Sequence, residues 1–356
     1  MPRSTVSSRL RTRGLLRHGS AFVPLALWMA CPAFAASPAY HVYVTNEESG
    51  DLTVISGSTH AVTGTWPLGK RPRGLSASPD GQWLYVALSG SPLAGPGVDE
   101  KTLPPADRTA DGIGVLRLRD GHLQRLFTGV SDPEQLAVSA DGTRLYVASE
   151  NSGRAVVIRV PDGRIAGQLD VGGEPEGVAV NRRSGQVGVT SETDNSVALI
   201  DRDGTRLLRK MAVGLRPRDL AFSADGKRLF VTGENDASLT VIDLRSGARA
   251  RTLHLGGSEV RPKGIVLSPD GTRLYVSTGR GSHVIVLDAG TLRVLATVQV
   301  GQRPWGLALS PDGHFLYTAN GPSNDVSVID TARLALTATI PAGRRPWGVA
   351  VVPHRP

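Results

Sequence analysis

The chain has 356 residues, 40% of them apolar and 5% aromatic, with 42 Gly, 24 Pro, a single Cys and a formal charge of +8. Many short strands joined by turns fit that balance. The charge is concentrated in an N-terminal leader whose five arginines leave with it, so the mature charge falls to +3 and the case for a nucleic-acid partner falls with it.

Residues 1–35 read as a secretory signal peptide. Arg3, Arg9, Arg11, Arg13 and Arg17 precede an apolar run from Ala21 to Ala35, no acid interrupts them, and Ala33-Phe34-Ala35 offers the cleavage site. The run is too short, and too broken by Pro24 and Pro32, to read as a transmembrane segment. Cys31 leaves with the leader, so the expected mature chain, 36–356, has no disulfide, no thiolate metal ligand and no Cys-x-x-Cys-His haem attachment. Its expected location is the periplasm.

From residue 40 onward one unit recurs. Pro72, Pro133, Pro175, Pro217, Pro262, Pro304 and Pro346 each follow a Gly within a few residues, and the last five spacings are 42, 42, 45, 42 and 42 residues. A period near 42 is that of a propeller or similar array, whose units bury their apolar faces only against neighbours. In one unit, strands are expected at 219–223, 229–232, 239–243 and 251–255, forming a four-stranded antiparallel meander. Its first turn recurs as Ser78-Pro79-Asp80-Gly81, Ser139-Ala140-Asp141-Gly142, Ser268-Pro269-Asp270-Gly271 and Ser310-Pro311-Asp312-Gly313, a tight hairpin with Gly in the left-handed position. Its third strand is apolar on both sides, as at 240–242 and 326–329, which suits a sheet covered on both faces.

The ends are out of phase. The mature chain starts with a second strand, 42–46, and finishes with a first strand, 348–352, so the two are expected to complete one blade and close an all-β, seven-bladed β-propeller. Between the second and third strands of one blade an insertion loop, residues 90–111, lengthens the first Pro spacing to 61.

This topology places the Pro connections at one end of the ring. The residues flanking each Pro then run round a mouth in the order Arg345/Trp347, Arg71/Arg73, Asp132/Glu134, Glu174/Glu176, Arg216/Arg218, Arg261/Lys263 and Arg303/Trp305. The acidic blades are contiguous and so is the basic arc, an arrangement that would orient an anion or dock an oppositely patterned protein. Facing arginines and carboxylates that pair with one another would cancel that field at little net gain. Trp305 and Trp347 are equivalent in adjacent blades and suit either a stacked planar ligand or packing over the neighbouring blade. The histidines fall at scattered positions without metal-ligand spacing, and no nucleophile elbow or phosphate-binding loop is present.

The repeats Tyr43-Val44-Thr45-Asn46 and 320–330, followed by Gly343-Arg344-Arg345-Pro346-Trp347-Gly348, resemble the YVTN-family β-propellers. Within that family Arg71-Pro72-Arg73-Gly74, Asp132-Pro133-Glu134, Glu174-Pro175-Glu176-Gly177 and Thr190-Ser191-Glu192-Thr193 are similar to the periplasmic propellers associated with pyrroloquinoline quinone (PQQ)-dependent catabolism. The resemblance implies a secreted seven-bladed propeller found beside quinoprotein dehydrogenases, with no catalytic residues to carry over.

The leading expectation is therefore a monomeric, non-enzymatic docking module without cofactor or metal. Its mouth would receive a periplasmic protein, such as a quinoprotein dehydrogenase or its cytochrome, or a small anionic ligand. A propeller hydrolase or lactonase using mouth carboxylates or a bound metal is the alternative, with non-covalent haem or quinone binding behind it.

Overall fold

The computed structural model describes residues 39–93, 98–99, 102–246 and 249–354. The expected leader lies outside them, as do residues 94–97 and 100–101 of the insertion.

Each Ser-x-Asp-Gly turn is closed by its own side chains. In the first, Ser78 Oγ donates to Asp80 at 2.5 Å, accepts from Trp83 N at 2.9 Å, and Gly81 sits at φ +71°. The same serine-to-aspartate bond recurs at Ser139, Ser223, Ser268 and Ser310. A left-handed residue at this corner is what only Gly supplies without steric cost. The hairpins so made grow into seven four-stranded antiparallel sheets, the blades. Third strands such as Val326–Ile329 within Asp325–Asp330 are buried on both faces, and apolar clusters fill the space between adjacent blades.

Blade 1 is made from both chain ends, Pro346–Pro353 pairing antiparallel with Tyr40–Asn46. Opening this seam would break the ladder and expose Val42, Val44 and Val352 together, so closure and burial are one event. Blades 2 to 7 then begin with inner strands Pro72–Ala77, Pro133–Val138, Pro175–Val180, Pro217–Phe222, Pro262–Leu267 and Pro304–Leu309. Each inner strand touches its neighbours on both sides, which closes the ring around a central channel.

Hydroxyl groups stitch this ring at the level of the mouth. Thr45 Oγ1 accepts from Gly348 N in its own blade and donates to Arg73 O in the next. Thr190 and Ser277 repeat the bridge to Arg218 O and Trp305 O, and Thr232 reaches Lys263 O at 2.8 Å. The inner strands approach so closely that a Cβ on Gly264 would lie 2.5 Å from Trp305 O, and one on Gly306 2.7 Å from Trp347 O. Glycine at these positions is a packing requirement. Among the described residues, no helix is long and apolar enough to cross a membrane.

Candidate functional site at the channel mouth

The residue before Pro is left-handed in six blades: Arg71, Asp132, Glu174, Arg216, Arg303 and Arg345 have φ between 39° and 55°. Such a conformation costs energy in a non-Gly residue and persists where the surroundings fix it. Here the fixing group is a backbone N–H from the loop after the second strand: Glu47 N donates to Arg345 O at 2.9 Å, Glu192 N to Glu174 O at 3.0 Å and Glu234 N to Arg216 O at 3.0 Å. Both loop sets therefore meet at one end, as the topology requires. The residue after Pro then points into the channel, giving a ring of Arg73, Glu134, Glu176, Arg218, Lys263, Trp305 and Trp347.

A second layer of acids, unforeseen in the sequence reading, lies behind that ring. Glu47, Glu150, Glu192 and Glu234 each follow the last residue of a second strand. Arg73 is buried among Glu134, Asp132 at 3.3 Å, Glu150 at 3.4 Å and Glu47 at 3.5 Å. Arg218 contacts Glu192, Glu176 at 2.6 Å and Glu234 at 3.5 Å, and Lys263 Nζ donates to Glu234 at 2.9 Å. Arg71 pairs with Glu47 at 2.7 Å and Arg216 with Glu192 at 2.5 Å. The expected separation into a negative and a positive arc is thus corrected. Because each basic ring residue meets carboxylates of an adjacent blade, the charges neutralise locally across the boundary.

Four candidates stand apart from this network. Glu174 is exposed and accepts from Thr193, and Arg261 donates to Asn235 at 2.5 Å. Arg303 and Arg345 have no carboxylate within ion-pair distance among the described residues; Arg303 lies over the Trp305 ring at 5.5 Å. Burial, and after it the Arg345 charge, pushes the Arg303 guanidinium below its ordinary value. Trp305 and Trp347 are tilted against each other with ring centres 5.6 Å apart, and Lys263 Nζ lies 4.1 Å from the Trp305 centre. The two indoles thus pack on each other and line one pocket.

The insertion braces the other side. Ser89 and Ser91 each donate to Asp132 at 2.5 Å, Arg71 donates to Ser91 O and Pro92 O, and Asp111 accepts from Gly90 N and Asp132 N. Asp132, Glu134 and Glu150 bring their carboxylate oxygens within 4.8 Å of one another, a geometry that could hold a cation. Arg73 Nη1 already lies among all three.

One carboxyl is of a different kind. The third residue of the inner strand is Gly in five blades but Gln135 and Asp219 in the others. Asp219 Oδ1 accepts from Leu220 N at 2.8 Å and Oδ2 from Ile265 N at 3.1 Å, which orients it at a pocket also lined by Glu176, Arg218, Lys263, Trp305 and Trp347. The accessible volume there is about 30 Å³, enough to hold a water. Burial pushes the Asp219 carboxyl up to about 6, against the pull of its two backbone donors. Burial and the Arg218 charge bring the Lys263 ammonium down to about 7 despite Glu234, whose carboxyl Lys263 and Arg218 together hold at about 2 against the opposing effect of burial. Desolvation of half-buried Glu150, with the nearby Glu176 and Asp132 charges, raises its carboxyl to about 7 against the pull of Arg73. A proton acceptor, an ammonium of comparable pKa and an indole wall therefore share one small space.

Residues 205–339 match the family described as lactonase, seven-bladed β-propeller. That segment ends with blade 7 and includes Asp219, Lys263 and Trp305. Among solved structures the periplasmic gluconolactonase of Pseudomonas aeruginosa is 21% identical, with 88% of this chain and 99% of that chain covered at a TM-score of 0.71. A Bacteroides fragilis protein proposed to be a 6-phosphogluconolactonase is 18% identical over 90% of this chain and 100% of its own, also at 0.71. Hydrazine synthase of Kuenenia stuttgartiensis is 22% identical over 82% and 92%, at 0.70. No curated protein sequence matches significantly. At such identities the structural likeness establishes the seven-bladed fold, which hosts unrelated chemistries. The family match corrects the leading expectation: it favours the hydrolase alternative over a non-enzymatic docking module, and an enzyme over a binding protein.

Proposed function

We propose that this protein hydrolyses a small lactone at the channel mouth. The observation that carries the reading is Asp219, a carboxyl near neutrality in a small open pocket facing Lys263, Arg218 and Trp305, within the segment that matches the lactonase family. In this mechanism the lactone ring lies on Trp305 and Trp347. Ionised Asp219 takes a proton from the pocket water as the water oxygen attacks the carbonyl carbon. The oxyanion forms beside the Lys263 ammonium and Arg218 guanidinium, which stabilise it more than the neutral ground state. Collapse breaks the ring C–O bond, and the proton on Asp219 passes to the departing alkoxide, leaving a hydroxy acid. Arg303 and Arg345 favour a substrate with an anionic substituent.

The expected leader and the described activity of the Pseudomonas neighbour make aldonolactones in the periplasm the first substrates to try. Oxidation of a cyclic hemiacetal yields a lactone, so a lactonase also suits the quinoprotein setting that the repeats resemble. The test is proton release from aldonolactones, with and without a phosphate or carboxylate, measured against spontaneous hydrolysis. Turnover that falls at least 100-fold in Asp219→Asn, and is unchanged in Glu174→Gln, is expected. Turnover of none of these lactones, or equal turnover by Asp219→Asn, would overturn the proposal.

A further inference from the structure

The seam of blade 1 carries a pair of imidazoles that the mouth chemistry does not use. His41 lies on the N-terminal strand Tyr40–Asn46 and His354 immediately follows the C-terminal strand Pro346–Pro353. Their nitrogens, His41 Nδ1 and His354 Nε2, are 2.6 Å apart, with ring centres 4.4 Å apart and planes tilted by 50°. Both backbones are held. His41 pairs with Ser56 on one side and Val352 on the other, and His354 N donates to Ala39 O at 2.7 Å. The pair opens onto a pocket of about 680 Å³ between blades 1 and 2, whose other lining groups include Tyr43, Asp80, Trp83, Arg117 and Arg119. Of the charged ones, Asp80 accepts from Ser78 and Gln82 N, and Arg117 pairs with Asp120 at 2.6 Å.

Two ring nitrogens this close aim their lone pairs into the same space, so one proton must lie between them. A transition-metal ion can replace that proton. Cis nitrogen ligands at ordinary metal–nitrogen distances are about 3 Å apart, so small side-chain rotations of His41 and exposed His354 suffice. We propose that the ring seam is a metal clip, in which a divalent ion of the copper, nickel or zinc class bridges His41 Nδ1 and His354 Nε2, water fills its remaining positions, and the two chain ends are tied together. Imidazole donors favour these ions over magnesium or calcium. The clip binds the closed ring and not the unfolded chain, in which the two histidines are 313 residues apart, so it stabilises by linkage.

The experiment uses full-length protein purified without a polyhistidine tag, stripped with chelator and titrated with Cu²⁺, Ni²⁺, Zn²⁺ or Mg²⁺ at pH 7.5. At tenfold excess over Kd the first three should raise Tm by about 3 °C, with Cu²⁺ binding most tightly. Mg²⁺ should do nothing, and chelator should reverse the effect. His41→Ala and His354→Gln should each abolish the shift, and His354→Gln, lying beyond the last strand, should fold normally. The Cu²⁺ complex of the wild type should show two-nitrogen hyperfine structure by electron paramagnetic resonance. No shift with any of the three ions, or an equal shift in both variants, would overturn the clip. Because the seam histidines lie at the opposite end of the strands from the mouth, lactone turnover in either variant reports on the proposed active site independently.

Discussion

The two halves of the channel mouth use the same positions for opposite ends. In blades 2 to 5 the side chains after Pro are Arg73, Glu134, Glu176 and Arg218, and each is buried in contact with opposite charge. In blades 7 and 1 the equivalents are Trp305 and Trp347, and the arginines before the Pro, Arg303 and Arg345, have no carboxylate within ion-pair distance among the described residues. The first half spends its charge on itself and becomes rigid scaffold; the second leaves cations and aromatic surface for something else. Asp219 and Lys263 lie where the two halves join.

The sharpest way to break this contrast is to delete one cation from each half. Arg73→Ala removes the cation buried among Glu134, Asp132, Glu150 and Glu47, leaving Glu134 and Glu150 without an opposite charge, and should cost about 3–5 kcal/mol in chemical denaturation. Arg345→Ala strands nothing and should stay within about 0.5 kcal/mol of wild type. Equal losses would mean that the open half is also structural.

Asp219→Asn tests the junction by separating chemistry from stability. It should lower kcat by about 10²–10⁴-fold. Because the Asp219 carboxyl is raised to about 6 by burial, the stability it contributes is complete below its unfolded value near 4 and is lost as pH rises through 6. The Asn variant escapes that loss but leaves Leu220 N or Ile265 N without an acceptor, so its melting deficit against wild type should be largest below pH 4 and shrink by pH 8 in thermal scans. In wild type, kcat/KM should rise with the ionisation of Asp219 near 6 and fall as Lys263 loses its proton near 7, a narrow bell whose acid limb disappears in Asp219→Asn. An acid limb that survives there but disappears in Glu150→Gln would move the base to Glu150, whose carboxyl also titrates near 7.

Smaller effects sharpen the open half. Trp305→Ala should raise KM about tenfold with a lesser change in kcat, since its ring is a wall for the substrate and not a reacting group. The double variant Arg303→Gln/Arg345→Gln should weaken KM for anionic lactones a few-fold and leave neutral ones unchanged, which initial rates on matched substrates would show.

Much of this molecule could be read before its coordinates. The spacing of the seven prolines, the Ser-x-Asp-Gly turns and the out-of-phase ends specify local geometry and sequence separation, and blade number and closure follow from those alone. The mouth was located for the same reason. Its electrostatics were not legible, because whether Arg73 opposes or joins Glu134 depends on distances across blades. The second acid layer carried a signal that was passed over: Asn46-Glu47, Ser149-Glu150, Ser191-Glu192 and Gly233-Glu234 occupy one repeat position. Asp219 carried one too, as an acid where five blades have Gly, but it was absorbed into an apolar strand. The clue to its role is that departure from the repeat.

The hydroxyl bridges from Thr45, Thr190, Thr232 and Ser277 have an implication for how such a ring diversifies. They grip the carbonyl oxygen of the mouth residue and ignore its side chain. Where a buried cation such as Arg73 holds the position, its carboxylate partners must change with it; at Trp305, which meets no carboxylate, a new specificity can arise by a single codon change at the rim without rebuilding the sheets beneath it.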